Sequence, residues 1–192
     1  MAPKYPPVEE ASEWFVAFTN DKRENTTADS IRRRAFSTYV PAMTVTRVRR
    51  NKAVAVKRPL FPRYIFVGLA RGQNLLGLRQ TPGLEGMVRI AGRPVTVEAE
   101  MLDGLRAAEA AGVYDFTDDH LAEMAAADRT QAAKALVPGM RVNIVDGPFR
   151  SFPGTVAGFL PDARISITVR IFGTSQAVPM PLDHVEAAKV RP

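Results

Sequence analysis

The chain has no cysteine, which excludes disulfides, thiol nucleophiles and cysteine-based zinc sites in one step. Histidine is nearly as scarce. His120 and His184 lie far apart with no ligand cluster around either, so both read as surface residues and no metal is expected. No grouped Ser, His and Asp and no phosphate-cradling Gly loop is evident, so neither catalysis nor a cofactor is expected. Asp115, Asp118 and Asp119 read as a solvated turn rather than a metal site. No window of 18 apolar residues exists, and no membrane-spanning helix is expected. Met1 to Pro7 lacks the apolar stretch of a signal peptide and reads as a short arm over 1–12, with a cytoplasmic location.

The most telling absence is of one charge sign. No acidic residue falls between Ser30 and Leu84, where twelve Arg and Lys residues lie. From Glu98 to Asp128 the balance inverts, with nine acids against the single Arg106. The net charge of +6 is therefore distributed unevenly. Such asymmetry turns one region toward a polyanion, here nucleic acid, and leaves the other as solvated connector.

At 192 residues the chain can form two modest domains. Trp14 to Thr19 is β-rich. Asp21 and Glu24 have the spacing of a helix-start box, and the following helix would bury Ala28, Ile31 and Ala35. Thr38 to Pro41 restarts extended chain. Period-two runs from Thr44 to Arg49 and from Ala53 to Lys57 flank Arg50-Asn51-Lys52 as a basic β-hairpin. Tyr64 to Leu69 is apolar on both faces, as a central strand is. A short helix over Asn74 to Gln80, a strand over Met87 to Ile90 and a helix over Glu98 to Ala111 complete a β-α-β-β-β-α-β-α order. Gly112 is the expected helix stop.

Residues 113–137 read as a linker, with a thin helical pattern from Asp118 to Leu136. Met140 to Val145, Gly154 to Phe159, Arg164 to Ile171 and Ser175 to Val178 then have the spacing of a small β-barrel. The expected architecture is α+β. An N-terminal α/β sandwich over 13–112 has an antiparallel sheet flanked by helices, and an SH3-like small β-barrel fills 138–192.

Period two places Val16 and Phe18 on one face of the first strand, and Tyr64 and Phe66 on one face of the central strand. If these strands are neighbours, the four form an apolar patch, either covered by the domain's own helices or offered to a partner. The basic set Arg32, Arg33, Arg34, Arg47, Arg49, Arg50, Lys52, Lys57 and Arg58 can neutralise phosphates without reading bases. In the barrel, Phe149, Phe152, Ile171 and Phe172 surround a loop. Four buried side chains of this size would overfill so small a domain, so one of each pair is expected to face out.

Two motifs carry a resemblance. Asp146-Gly147-Pro148-Phe149, Phe152-x-Gly154-x-Val156 and Ile171-Phe172-Gly173 resemble the KOW module of the NusG/RfaH family of transcription elongation factors. Trp14 to Pro41, the basic hairpin and Pro59-Leu60-Phe61-Pro62-Arg63-Tyr64-Ile65-Phe66-Val67 resemble that family's amino-terminal domain. The resemblance implies an elongation or antitermination factor without catalysis, expected to be a monomer. Its first domain would grip the clamp helices of the RNA polymerase β′ subunit through Val16, Phe18, Phe61, Tyr64 and Phe66, and suppress pausing or termination. Arg33 and Arg34, on the corresponding helix, would face the non-template DNA strand. Arg47, Arg49, Arg50 and Lys52 join them as the nucleic-acid-facing set by charge, with plain solvated surface as the alternative for the hairpin tip. The barrel would bind Rho or a small-subunit ribosomal protein through Phe149, Phe152, Ile171 and Phe172.

The first domain is closer to RfaH, particularly over Pro41-Ala42-Met43-Thr44 and Pro59 to Val67, which implies a specialised paralogue. Three positions depart from the family pattern. Position 63 is Arg, where the general factor usually has Gly. Thr174 follows Gly173, where that factor usually has Arg. Asn74-Leu75-Leu76-Gly77 replaces the His- and Thr-rich segment that RfaH aims at the β-subunit gate loop. The β-branched run Ile165, Ile167, Thr168, Val169 and Ile171, with Pro148, Pro153, Pro179 and Pro181, predicts a permanent barrel rather than RfaH's helix-to-barrel refolding. The alternative function is a ribosome-associated RNA-binding protein, since KOW barrels occur there too.

Overall fold

The computed structural model describes residues 11, 13–117, 136–160 and 164–188. Of the arm expected over 1–12 only residue 11 is described, and residues 118–135 of the helix expected from Asp118 to Leu136 lie outside the described residues. By contacts the chain divides into two compact units, Met1–Pro41 with Pro59–Asp103, and Ala42–Arg58 with Gly104–Pro192.

The first unit is built on β1 (Glu13–Thr19), α1 (Glu24–Arg32) and β2 (Ser37–Tyr39). The chain then leaves for a hairpin, β3 (Ala42–Arg49) and β4 (Lys52–Pro59), and returns as β5 (Tyr64–Leu69). The Leu60 N–H donates to the Pro41 carbonyl at 2.7 Å, closing the base of that excursion. A single 3-10 turn over Leu75–Leu78 precedes β6 (Leu84–Met87). The short strands β7 (Arg89–Ile90), β8 (Arg93–Pro94) and β9 (Thr96–Val97) lead to α2 (Ala99–Ala110). The sheet order is β2-β5-β1-β6, with β9 also on β1, and every pairing is antiparallel.

One face of that sheet is the aliphatic core. Phe15, Ala17, Ile65, Val67 and Leu69 pack with Ile31 and Phe36 around α1, and with Leu78. The opposite face is aromatic, because the β1–β5 register sets Phe18 across from Tyr64, Val16 across from Phe66 and Trp14 across from Gly68. Gly68 makes room for Trp14, since a methyl added there would lie 3.0 Å from the indole ring.

Helix α1 departs from expectation at both ends. Its N-cap is Arg23, with no side-chain cap, and Asp21 pairs with Lys22 instead. The Glu24 carboxylate is taken by the Arg63 N–H at 2.7 Å, which removes the second half of a capping box. Ala35 is exposed rather than buried, because the helix ends at Arg32 and Ala35 turns left-handed at φ 63°. The helix expected over Asn74 to Gln80 shrinks to the 3-10 turn, capped by the Asn74 side chain accepting from Leu76 N–H at 3.0 Å. The strand expected over Met87 to Ile90 divides between β6 and β7.

In the second unit, β10 (Asp115–Phe116) pairs in parallel with β3 to give the order β10-β3-β4. The hairpin, expected to belong with the first domain, groups instead with the residues from Gly104 onward, which include the second half of α2. The barrel comprises β11 (Arg141–Ile144), β12 (Pro153–Leu160), β13 (Arg164–Ile171), β14 (Thr174–Pro181) and β15 (Val185–Ala187). Its order, β14-β13-β12-β11-β15, includes a fifth strand too short to read from the sequence. Ile165, Ile167, Val169 and Ile171 alternate into its interior. Gly154 fits where the β12–β13 pairing brings Ile167 so close that any added methyl would collide with it. Arg164, only 5% exposed, donates to the Asp115 carbonyl at 2.8 Å and lies 4.3 Å over the Phe116 ring.

Candidate functional site

The structure brings the five expected polymerase-facing residues together. Phe18 meets Tyr64 edge-on with centroids 5.1 Å apart, and Phe61 meets Phe66 edge-on at 6.3 Å. Val16 lies across from Phe66, and Tyr39 stacks on the same ring at 6.2 Å. Tyr39 was legible by strand periodicity but was not included with the five. Val16, Phe61, Tyr64 and Phe66 are buried, and Phe18 is the member with a partly accessible ring. A partner reaching all five must first uncover the face.

Arg63 occupies the accessible edge of this set. Its guanidinium lies 4.2 Å from the Phe18 centroid, donates to the Thr19 carbonyl at 3.1 Å and pairs with Glu85 at 2.6 Å. Its backbone holds Glu24 and accepts from the Thr19 N–H at 2.8 Å. Its φ of 70° is left-handed, a conformation that glycine adopts without strain. An arginine here accepts that strain in exchange for several contacts. Sequence reasoning noted the replacement of Gly without its consequence, that a cation covers the exposed part of an aromatic pair.

The six residues expected to face nucleic acid separate into groups. Arg33 is exposed at the C-terminal end of α1. Arg34 is exposed too, but its guanidinium is engaged with the carbonyls of Gly77, Arg79 and Gln80 at 3.2–3.3 Å. It fastens α1 to the 3-10 turn. Arg47, Arg49, Arg50 and Lys52 are all exposed on the outer half of the hairpin, whose turn is Arg50-Asn51, both left-handed. Among the described residues none of these four forms an ion pair or a side-chain hydrogen bond. At the hairpin base, Lys57 reaches Glu109 at 4.0 Å, and the Thr44 N–H donates to the Tyr114 carbonyl at 2.9 Å. Burial first, and then the Glu109 charge, pushes the Tyr114 hydroxyl well above its ordinary range.

In the barrel, Phe149 and Ile171 are buried while Phe152 and Phe172 remain partly accessible, so one of each pair does face outward. Phe149 and Phe152 meet edge-on at 6.4 Å. Phe172 sits in the β13–β14 turn at φ 56°. His184 lies 3.5 Å from Asp146 at the start of the same aromatic loop. Among the described residues no group of three or more His, Cys, Asp or Glu is placed to hold a metal, and no helix is long and apolar enough to cross a membrane.

Residues 12–106 match the family model described as transcription termination factor NusG, so the match spans the aromatic face, Arg63 and the hairpin. The transcription termination/antitermination protein NusG of Deinococcus radiodurans is 28% identical over 92% of this chain and 98% of its own length. That of Thermus thermophilus is 25% identical over the same two shares. The solved structure of NusG from Thermotoga maritima covers 95% of this chain and all of its own, with a TM-score of 0.58 at 19% identity, which establishes a shared fold. The chain belongs to the NusG family.

Proposed function

We propose that the chain is a transcription elongation or antitermination factor that docks on RNA polymerase through the aromatic face of its first sheet. The observation that carries the reading is that face itself. Two edge-on aromatic pairs and a stacked tyrosine gather on one side of β1, β2 and β5, within the family-matched segment. Interfaces concentrate aromatic anchors in this way. The β′ clamp helices are the proposed contact, and the outcome is suppressed pausing or termination.

The basic hairpin and Arg33 are proposed to lie against DNA of the transcription bubble. The barrel is proposed to recruit a second machine, Rho or a small-subunit ribosomal protein, through Phe152 and Phe172, with Phe149 and Ile171 supporting them from the interior. Arg63 in place of Gly and Thr174 after Gly173 favour a specialised paralogue over the general factor.

Co-sedimentation of the full chain with core RNA polymerase in moderate salt tests the reading. Binding by the native chain, lost in Phe18→Ala, is the expected result. Phe18 is the appropriate position because its ring is only partly buried, so its truncation disturbs the fold least. Absence of binding by the native chain would overturn the reading. Undiminished binding by the variant would remove the aromatic face from it.

A further inference from the structure

We propose that Arg63 is a specificity-determining residue of the docking face, whose guanidinium receives a carboxylate of the docked partner beside the ring of Phe18. This rests on the polymerase-docking reading above and deepens it, because it states the chemistry that the helical partner must present.

Three observations lead there. The first is where the cation stands. Val16, Phe61, Tyr64 and Phe66 are buried, so among the five residues of the face the ring open to a partner before any rearrangement is that of Phe18. The Arg63 guanidinium lies 4.2 Å from the centroid of that ring, with 37% of the side chain exposed. A partner that touches Phe18 therefore meets Arg63 in the same step.

The second is that the guanidinium is held in place yet has donors to spare. Its Nε donates to the Thr19 carbonyl at 3.1 Å and its Nη2 to the Glu85 carboxylate at 2.6 Å. The Arg63 backbone is fixed as well. Its N–H donates to Glu24 at 2.7 Å, and its carbonyl accepts from the Thr19 N–H at 2.8 Å and the Thr19 hydroxyl at 3.2 Å. A guanidinium carries its N–H donors in one plane, and stacking on a ring uses the face of that plane rather than its edge. Among the described residues Nη1 makes no hydrogen bond, so its donors are available to an incoming oxygen. A cation already pinned on two sides loses little freedom when it binds.

The third is that folding gains little from an arginine here. At φ 70° a glycine is unstrained and an arginine is not. A half-exposed ion pair such as that with Glu85 contributes little to stability. Docking changes the balance, because a partner over Phe18 takes the guanidinium out of water. A purely apolar surface would leave the Nη1 donors unmet, and a partner cation would be repelled. A carboxylate meets both needs through charge-assisted hydrogen bonds. The position therefore selects a surface that pairs an apolar side chain for the ring with an acid for the guanidinium, and rejects a neutral or basic one.

Titration of the full chain with core RNA polymerase across salt tests this, with the variants Arg63→Gly, Arg63→Lys and Glu85→Gln. Arg63→Gly should weaken binding by roughly tenfold or more at low salt, and the gap should close as salt rises. Arg63→Lys keeps the charge without the planar fork and should recover only part of the loss. Glu85→Gln should tighten binding, because it removes the carboxylate that competes for the guanidinium. A cation that merely covers the ring would give no such gain. Unchanged or tighter binding by Arg63→Gly, or unchanged or weaker binding by Glu85→Gln, would overturn the inference. So would a loss in Arg63→Gly of affinity for a short DNA duplex but not for polymerase, which would assign the cation to phosphate. A native chain that does not bind polymerase defeats the docking reading and this inference together. Binding that is lost in Phe18→Ala and kept in Arg63→Gly defeats this inference alone.

Discussion

The aromatic face and the basic hairpin are opposites in every physical respect. One is neutral, aromatic and largely buried on its sheet. The other is cationic, contains no aromatic residue and stands in solvent. A buried cluster raises the stability of its own fold, and its use by a partner must compete with that role. A solvated ribbon contributes little to stability, so its residues are free to be selected for contact alone. Burial therefore predicts what a substitution does to folding in each region, and only exposure predicts which surface is available before any rearrangement.

Breaking the contrast from the buried side gives the largest effects. Tyr64→Ala and Phe66→Ala should each lower unfolding free energy by about 3–5 kcal/mol in denaturant titrations. Losses under about 1 kcal/mol would show that the face lies open in solution. Tyr114, at the hairpin base, offers a test by pH. Its raised folded value means that above about 10, the ordinary tyrosine value, the unfolded chain loses a proton that the folded chain keeps. Stability should then fall with rising pH, by up to about 1.4 kcal/mol per unit. The Tyr114→Phe variant should lack that slope, and a native slope in the variant would assign the effect elsewhere.

Arg63 lies between the two regimes. Arg63→Gly relieves the left-handed strain, worth about 1–2 kcal/mol. It also removes a half-exposed ion pair and a cation over a ring, each worth roughly 0.5–1 kcal/mol. The two nearly cancel, and thermal unfolding should move by less than about 1 kcal/mol equivalent. Arg63→Ala keeps the strain without the contacts and should be the less stable of the pair. The smallest effect is expected on the hairpin, whose left-handed Arg50-Asn51 turn sets Arg49 opposite Lys52. There Arg49→Thr should raise stability by about 0.5 kcal/mol by ending the like-charge opposition. A clear loss there would mean that the hairpin is packed rather than solvated.

Much of this was legible in the sequence. A β-rich run placed β1, period-two alternation the hairpin and an apolar stretch β5, and short runs between turn residues placed four of the five barrel strands. Volume reasoning predicted that one of each aromatic-loop pair faces out, and burial shows those to be Phe152 and Phe172. What escaped detection depended on partners distant in sequence. Asp21 and Glu24 had the spacing of a cap, yet the Glu24 carboxylate was claimed by the Arg63 N–H, 39 positions away. Arg34 read as one more surface cation until the carbonyls of Gly77, Arg79 and Gln80 were found to hold it. The hairpin meets the second unit through the parallel pairing of Asp115 and Phe116 with β3, too short a strand for any pattern to announce, and through Lys57 and Thr44 reaching Glu109 and Tyr114.

The hydrogen bond from Leu60 to Pro41 has an evolutionary consequence. It ties the two ends of the hairpin excursion together, so the register of β2 and β5 is independent of what lies between. Lengthening such a closed detour is inexpensive, about 0.6 kcal/mol for each doubling of a flexible loop. The hairpin is thus a cassette. Its reach, its charge and even its fold can diverge among descendants of one ancestor while the sheet beneath it stays in register.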